Sequence, residues 1–285
     1  MKIVLRGGTP ADSDTCGTIG YRAFKAISEE HNFPPDLPSA EVARKRFADL
    51  LSHPSFYSVV AEIDGRVVGS NFLDERSSIA GVGPITVDPA AQNQGVGLRL
   101  MEDVLERARH LSFPSVRLVQ AAYHNRSMSL YTKLGFEARE PLTTLQGEPI
   151  DHRIPGYDVR PAKASDQDAC NHLCARVHGH DRGGELLDAI KRGSATVVER
   201  EGRISGYSTL IGYNGHAVGE SNDDLRALIA SAPSFPGPGF LVPTRNTELL
   251  RWGLSQGLRI VQPMTLMSIG LYNEPAGRFL PSVWY

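Results

Sequence analysis

The chain repeats itself, and no other feature constrains its fold as tightly. The segments 6–16 and 160–170 place an Arg, two Asp and a Cys in register: Arg6, Asp12, Asp14 and Cys16 against Arg160, Asp166, Asp168 and Cys170. A second match follows in the same order, with residues 60–69 (VAEIDGRVVG) parallel to residues 197–206 (VVEREGRISG). Each copy of this second match reads as a β-hairpin, an apolar strand followed by an acidic-Gly turn (Asp64-Gly65, Glu201-Gly202) and another strand. Two matches in one order imply two copies of an α/β unit, joined by a linker at 146–156. At 285 residues there is room for two ordinary domains, and copies of this size are domains rather than the short units of a solenoid.

The first copy reads as a strand at Ile3, Val4 and Leu5 and a helix over roughly 12–28. The prolines Pro34, Pro35 and Pro38 break it. Ser39 is placed to cap a second helix running to about Ser52, with Glu41 in its first turn. After the hairpin come a strand over 83–87, a helix over 97–111, a strand over 116–122 and a helix over 125–134 closed by Gly135. Hairpins mixed with a βαβ crossover predict a mixed sheet flanked by helices, an α/β (α+β) class, in each copy.

Hydrophobic residues make up 41% and charged residues 22%, with 30 basic against 32 acidic side chains. That balance suits a buried core and gives no basic footprint for nucleic acid. No apolar run approaches the ~20 residues that cross a bilayer, and the start is too short in apolar residues for a signal peptide. Three cysteines, Cys16, Cys170 and Cys174, make no disulfide framework, so a cytoplasmic protein with reduced thiols is expected.

The chemistry points to residues 85–97. Ile85, Thr86 and Val87 form a strand, Asp88-Pro89 a turn, and Gln92, Asn93, Gln94, Gly95, Val96 and Gly97 a glycine-bearing loop opening a helix. Helix N-termini offer unpaired N–H groups and a positive dipole end, which suit phosphate. The loop lacks both the third glycine of a dinucleotide fingerprint and the Lys-Ser/Thr of a P-loop. Alone, a Gly-x-Gly before a helix commonly serves only packing. Further on stands Asn125-Arg126-Ser127-Met128-Ser129-Leu130-Tyr131-Thr132-Lys133-Leu134-Gly135-Phe136. Gln-x-x-Gly-x-Gly followed at this separation by Asn-x5-Tyr-x3-Gly-Phe resembles the GNAT superfamily of acetyl-CoA-dependent N-acyltransferases, over residues 1 to about 140.

The resemblance implies a catalytic domain at 1–145 and a second GNAT-like domain at 157–285. It also implies residue roles. Gln92, Asn93, Gln94, Gly95, Val96 and Gly97 would hold the pyrophosphate of acetyl-CoA. Ile85, Thr86 and Val87 would pair with the pantetheine arm, and Asn125 would contact the pantetheine or the phosphate end. Tyr131 would protonate the departing thiolate, which is reasonable chemistry for a phenol of pKa ~10 beside a thiol of ~8.5; in isolation it reads as a packing aromatic. For the general base, Asp74 and Glu75 lie near the hairpin end. Glu29, Glu30, His31 and Asp36 sit on the loop that in this family helps form the acceptor pocket, and His124 precedes Asn125. Any one of these also reads as a solvated surface group.

The second copy keeps the shape without the tools. Its expected phosphate loop, residues 215–225, carries Glu220, Asp223 and Asp224, and aligning Gly257 with Gly135 puts Gly253 opposite Tyr131. It is expected to bind no acetyl-CoA. Cys170, His172, Cys174, His178 and His180 tempt a metal reading, but Cys170 repeats Cys16 on a helix that packs against a sheet, so no metal is expected. The leading expectation is transfer of an acetyl group from acetyl-CoA to a primary amine, on a small molecule or a peptide, by direct attack in a ternary complex. No Cys in the motifs supplies a covalent route. The alternatives are a non-catalytic acyl-CoA-binding or sensing module and an interaction protein without cofactor. No nucleic-acid or membrane partner is expected, and a homodimer stays open.

Overall fold

A computed structural model describes residues 2–150 and 152–285. The first half runs β1 (Ile3–Gly7), α1 (Ser13–Glu30), α2 (Ala40–Ser52), β2 (Phe56–Ile63), β3 (Arg66–Asp74), β4 (Ala80–Val82), β5 (Thr86–Val87), α3 (Val96–His110), β6 (Ser115–Ala121), α4 (Asn125–Lys133) and β7 (Glu137–Gln146). The second runs β8 (Asp158–Pro161), α5 (Gln167–His178), α6 (Gly183–Arg192), β9 (Thr196–Arg200), β10 (Arg203–Ser208), β11 (Ala217–Gly219), α7 (Asn222–Ser231), β12 (Phe240–Pro243), α8 (Thr247–Ser255), β13 (Arg259–Gly270) and β14 (Arg278–Leu280). No helix among the described residues is long and apolar enough to cross a membrane.

The duplication is visible in atoms. Arg6 donates to Glu62 (2.7 Å) and forks onto Asp12 (2.7 and 2.8 Å), whose carboxylate also accepts the Thr9 N–H. Arg160 does the same with Glu199 and Asp166, and Asp166 accepts the Lys163 N–H. Each cluster ties the first strand of its repeat to the start of its first helix. The hairpin turns match as well. Asp64-Gly65 takes φ of 50° and 73°, and Glu201-Gly202 takes 54° and 75°. Two consecutive left-handed residues make the turn whose twist suits adjoining antiparallel strands.

The repeats interlock. The large sheet has the order β1-β2-β3-β4-β6-β13-β7-β12, with β5 beside β3, so β12 and β13 of the second half sit in the first half's sheet. β13 is antiparallel to both neighbours, pairing Met264 with Ala121 on β6 and with Leu142 on β7. The run β6-β13-β7-β12 is symmetric under exchange of the repeats, since β6 and β12 correspond, as do β7 and β13. The second sheet, β14-β11-β10-β9-β8, is antiparallel in every pairing.

Helices cover both faces of the large sheet. Leu100, Met101, Val104 and Leu105 of α3 pack with Val59, Ala61, Leu73 and Leu118 on one face. Cys16 and Phe47, from α1 and α2, pack with Val60 and Phe72 on the other. The cysteines are buried in apolar surroundings, with Cys170 and Cys174 packed against Tyr207 and Val218. Among the described residues no three His, Cys, Asp or Glu side chains converge in a metal-binding group.

One sequence expectation needs correction. Of the strand expected over 83–87 only Thr86–Val87 (β5) forms, and a separate short strand, β4, precedes it at Ala80–Val82. β4 pairs in parallel with β6 at Ala80 and Gly81, whereas β5 pairs only with β3. Between them Pro84 has no N–H to continue a ladder. β5 therefore diverges from β6, and a wedge opens between Ile85, Thr86 and Val87 on one lip and Leu118, Val119, Gln120 and Ala121 on the other.

Candidate active site

That wedge is the throat of a cavity of about 620 Å³. At its mouth lies the N-terminus of α3. The N-cap is Gly95 at φ 84°, a left-handed conformation costly for most side chains. No side chain caps the helix, and its first turn has no acidic residue. Its first N–H groups thus keep the unpaired state and positive end that hold an anion. Arg126 at the start of α4 donates to Gln92 Oε1 (2.5 Å), and both line the mouth together with Lys133. Of the loop residues named from sequence, Gln92, Asn93, Gly95, Val96 and Gly97 line the cavity. Gln94 turns back to the Ala90 carbonyl, and Asn125 lies exposed outside the lining.

The second repeat is different at the same place. Ser221 caps α7, and its hydroxyl and N–H both donate to Asp224, while the Asp224 N–H donates back to Ser221 Oγ. Asp223 and Asp224 occupy the first turn. This helix end already holds its own anions. Gly253, aligned with Tyr131, has no side chain to supply the hydroxyl, and Leu145 packs close to its Cα.

Further in, Ile85, Thr86 and Val87 form one wall, and Tyr131 of α4 reaches the cavity from the other side. Tyr131 is buried against Phe136, and its hydroxyl makes no hydrogen bond among the described residues. Burial pushes its pKa well above 10, so the phenol stays protonated at neutral pH. His124 also lines the cavity. Burial, then Arg126 and His31, lower its pKa below 6.5 and keep the imidazole neutral.

The proposed base and acceptor residues divide. Asp74 lies outside the lining and is bound by the Arg76 guanidinium (2.6 and 2.9 Å), which continues to Asp188 on α6 (3.0 Å). Glu75 is bound by Arg107 on α3 (2.8 and 3.1 Å). Both carboxylates are engaged by guanidinium groups, and neither lines the cavity. Glu29 faces solvent near Lys25, and His31 leans on the Tyr123 ring rather than lining the cavity. Glu30 and Asp36 do line it. Asp36 accepts from Tyr213 Oη (3.3 Å) and Gln262 Nε2 (3.2 Å), both from the second half. Burial raises its pKa above the ordinary carboxylate value, against the lowering pull of those two donors.

Several lining residues escaped sequence reasoning: Arg46 on α2, Tyr123, and Tyr213, Met264 and Trp284 from the second half. Arg126 and Lys133 also went unread, although they stand inside the motif segment 125–136. Those from the second half carry no local signal, because only the interlocked sheet brings them to this cavity.

Residues 23–136 match the Acetyltransferase (GNAT) family. The N-terminal domain belongs to the GNAT family of acetyltransferases. This GNAT domain is 28% identical over 126 residues, 44% of the chain and 82% of the relative, to an IAA acetyltransferase from Azospirillum brasilense. The fold of the whole chain resembles a candidate acetyltransferase from Pyrococcus horikoshii, with TM-score 0.77 and 19% identity over 97% of this chain and 92% of the other. It also resembles a tandem GNAT protein from the clavulanic acid biosynthesis pathway, with TM-score 0.55 and 14% identity over 94% and 98%. Both likenesses span the two halves and show a shared fold over nearly the whole chain.

Proposed function

We propose that the protein transfers an acetyl group from acetyl-CoA to a primary amine by direct attack, using one site per chain in the N-terminal GNAT domain. The observation that carries this reading is the contrast between two equivalent helix ends. The N-terminus of α3 is uncapped and opens on a cavity with Arg126 and Lys133 beside it, whereas that of α7 is closed by Ser221 and Asp224. A pyrophosphate fits the first through backbone N–H groups. The lip of the wedge formed by Ile85, Thr86 and Val87 offers backbone that β6 does not pair, which suits an extended amide-bearing arm.

Bound acetyl-CoA supplies a thioester whose carbon accepts the amine and whose sulfur leaves. The chain must then take a proton from the amine nitrogen and give one to the sulfur. Tyr131 is the donor, since its raised pKa keeps the proton in place until negative charge develops beside it. Asp36 is the acceptor of the amine proton. It is the lining carboxylate held in place by two donors, and its raised pKa makes it a stronger base than an exposed one.

Replacing Tyr131 by Phe removes one hydroxyl and keeps the ring packed on Phe136. Turnover should fall by about 10²–10⁴-fold with CoA affinity within a factor of two of the parent. Unchanged turnover would take Tyr131 out of the mechanism. Retained CoA binding with no acetylation of any amine by the parent would favour a sensing module.

A further inference from the structure

The inner end of the cavity holds two opposite charges that do not pair with each other. Arg46 and Asp36 both line it. They are close enough to influence one another electrostatically, yet no ion pair joins them among the described residues. Asp36 is fixed by Tyr213 and Gln262. The Arg46 guanidinium makes no hydrogen bond and no ion pair among the described residues; its recorded partner is the Trp284 ring, 6.0 Å from its carbon. A half-buried cation with only an aromatic face beside it retains five N–H donors for a planar anion.

Location separates Arg46 from the phosphate-binding cations. Arg126 and Lys133 are on α4 at the mouth, whereas Arg46 is on α2 beside Trp284, whose backbone packs on Gly81 at the closed end of the wedge. The wall around Arg46 and Asp36 is otherwise largely apolar, with Phe24, Ile27, Leu37, Met264 and Val283. Glu30, Arg126 and Lys133 also line the cavity, but the Arg46 guanidinium and the donor-held Asp36 carboxylate, set against this apolar wall, match a molecule that carries one anion, one amine and an apolar side chain.

We infer that the acceptor is an apolar α-amino acid, its carboxylate held by Arg46 and its amine facing Asp36. The inference rests on the acetyltransferase reading above and names the substrate class of that site. A polyamine would leave Arg46 without a counter-charge and place a second cation against it. A simple alkylamine would leave the guanidinium desolvated and unmatched, which buried charges do not tolerate cheaply.

The test compares matched acceptors: L-methionine, L-leucine and L-phenylalanine, their amides, and the corresponding decarboxylated amines. Each is assayed with acetyl-CoA on the parent, Arg46→Gln and Arg46→Lys. The parent should prefer the acid over the amide by at least tenfold in kcat/KM. Arg46→Gln should lower kcat/KM for the acids by about 30-fold or more, mainly through KM, and leave the amides within about threefold. Arg46→Lys should recover part of the loss. Calorimetric CoA affinity, unchanged in both variants, reports that they are folded. Amides or amines used as well as acids by the parent would overturn the inference while leaving the acetyltransferase reading intact. So would an equal loss on all acceptors in Arg46→Gln with CoA binding preserved. CoA binding without acetylation of any amine would overturn both.

Discussion

Asp36 shows how a single residue acquires a role its sequence neighbours do not announce. It lies on a proline-broken loop, where a carboxylate ordinarily faces water, but Tyr213 and Gln262 reach it from the other repeat and burial raises its pKa. A base must be unprotonated to act. Because the shift is upward, kcat/KM should begin to fall with decreasing pH well above the range of an exposed Asp. Asp36→Asn should remove that acid limb and leave a low, pH-flat activity. A variant that keeps the parent's limb would assign it to another group, with His124 next in place. The same comparison explains what the sequence left unread. Tyr131 and the Gln92, Gly95 and Gly97 loop could be singled out only because the two motifs together resemble a known family; separately they read as a packing aromatic and a helix-capping turn. Asp74 and Glu75 read as equally good bases until Arg76 and Arg107 were seen to hold them.

At the scale of elements, the two Arg–Asp–Glu clusters are the most informative repeat of all, because the same fastening appears twice. The guanidinium of Arg6, then the Thr9 N–H and hydroxyl, hold Asp12 at a pKa of about 2, below its ordinary 3.8; Arg160 lowers Asp166 in the same way. A depressed carboxylate contributes stability that is present above the unfolded value and lost as pH falls through the folded one. Asp12→Asn should therefore lower Tm at pH 7, and the difference from the parent should shrink below about pH 3.8 and vanish near pH 2. A difference that persists at pH 2 would show that packing, not charge, holds the strand to the helix. These clusters were readable in sequence as matched residues, and the helix bounds were too: Ser39 does cap α2, accepting the Val42 N–H at 3.2 Å. The break between β4 and β5 went unread although Pro84, which has no N–H for a ladder, marks it, because the strand-forming side chains of Ile85, Thr86 and Val87 masked the interruption.

At the scale of the whole molecule, the sequence is two successive copies and the structure is one interlocked body. β13 completes the first half's sheet between β6 and β7, and Glu140 on β7 pairs with Arg245 just after β12 (2.8 Å). Nothing local in residues 259–270 distinguishes a strand that stays with its own repeat from one that inserts into the other. Arg76 is a further tie, nearly buried between Asp74 of the first half and Asp188 of the second. Removing one member of a buried ion network leaves the others uncompensated at a cost of about 3–5 kcal/mol. Arg76→Ala should lower Tm by roughly 10 °C in a single shared transition. Two resolved transitions in calorimetry would mean that the halves unfold independently despite the shared sheet.

The central claim is that duplication left one working cofactor site and one closed one. Calorimetric titration of the intact chain with acetyl-CoA tests this most directly. Binding of one molecule per chain is the predicted result, since the α3 N-terminus is uncapped at the cavity whereas its counterpart in the second repeat, that of α7, is closed by Ser221 and Asp224. Two molecules per chain, or none, would contradict it.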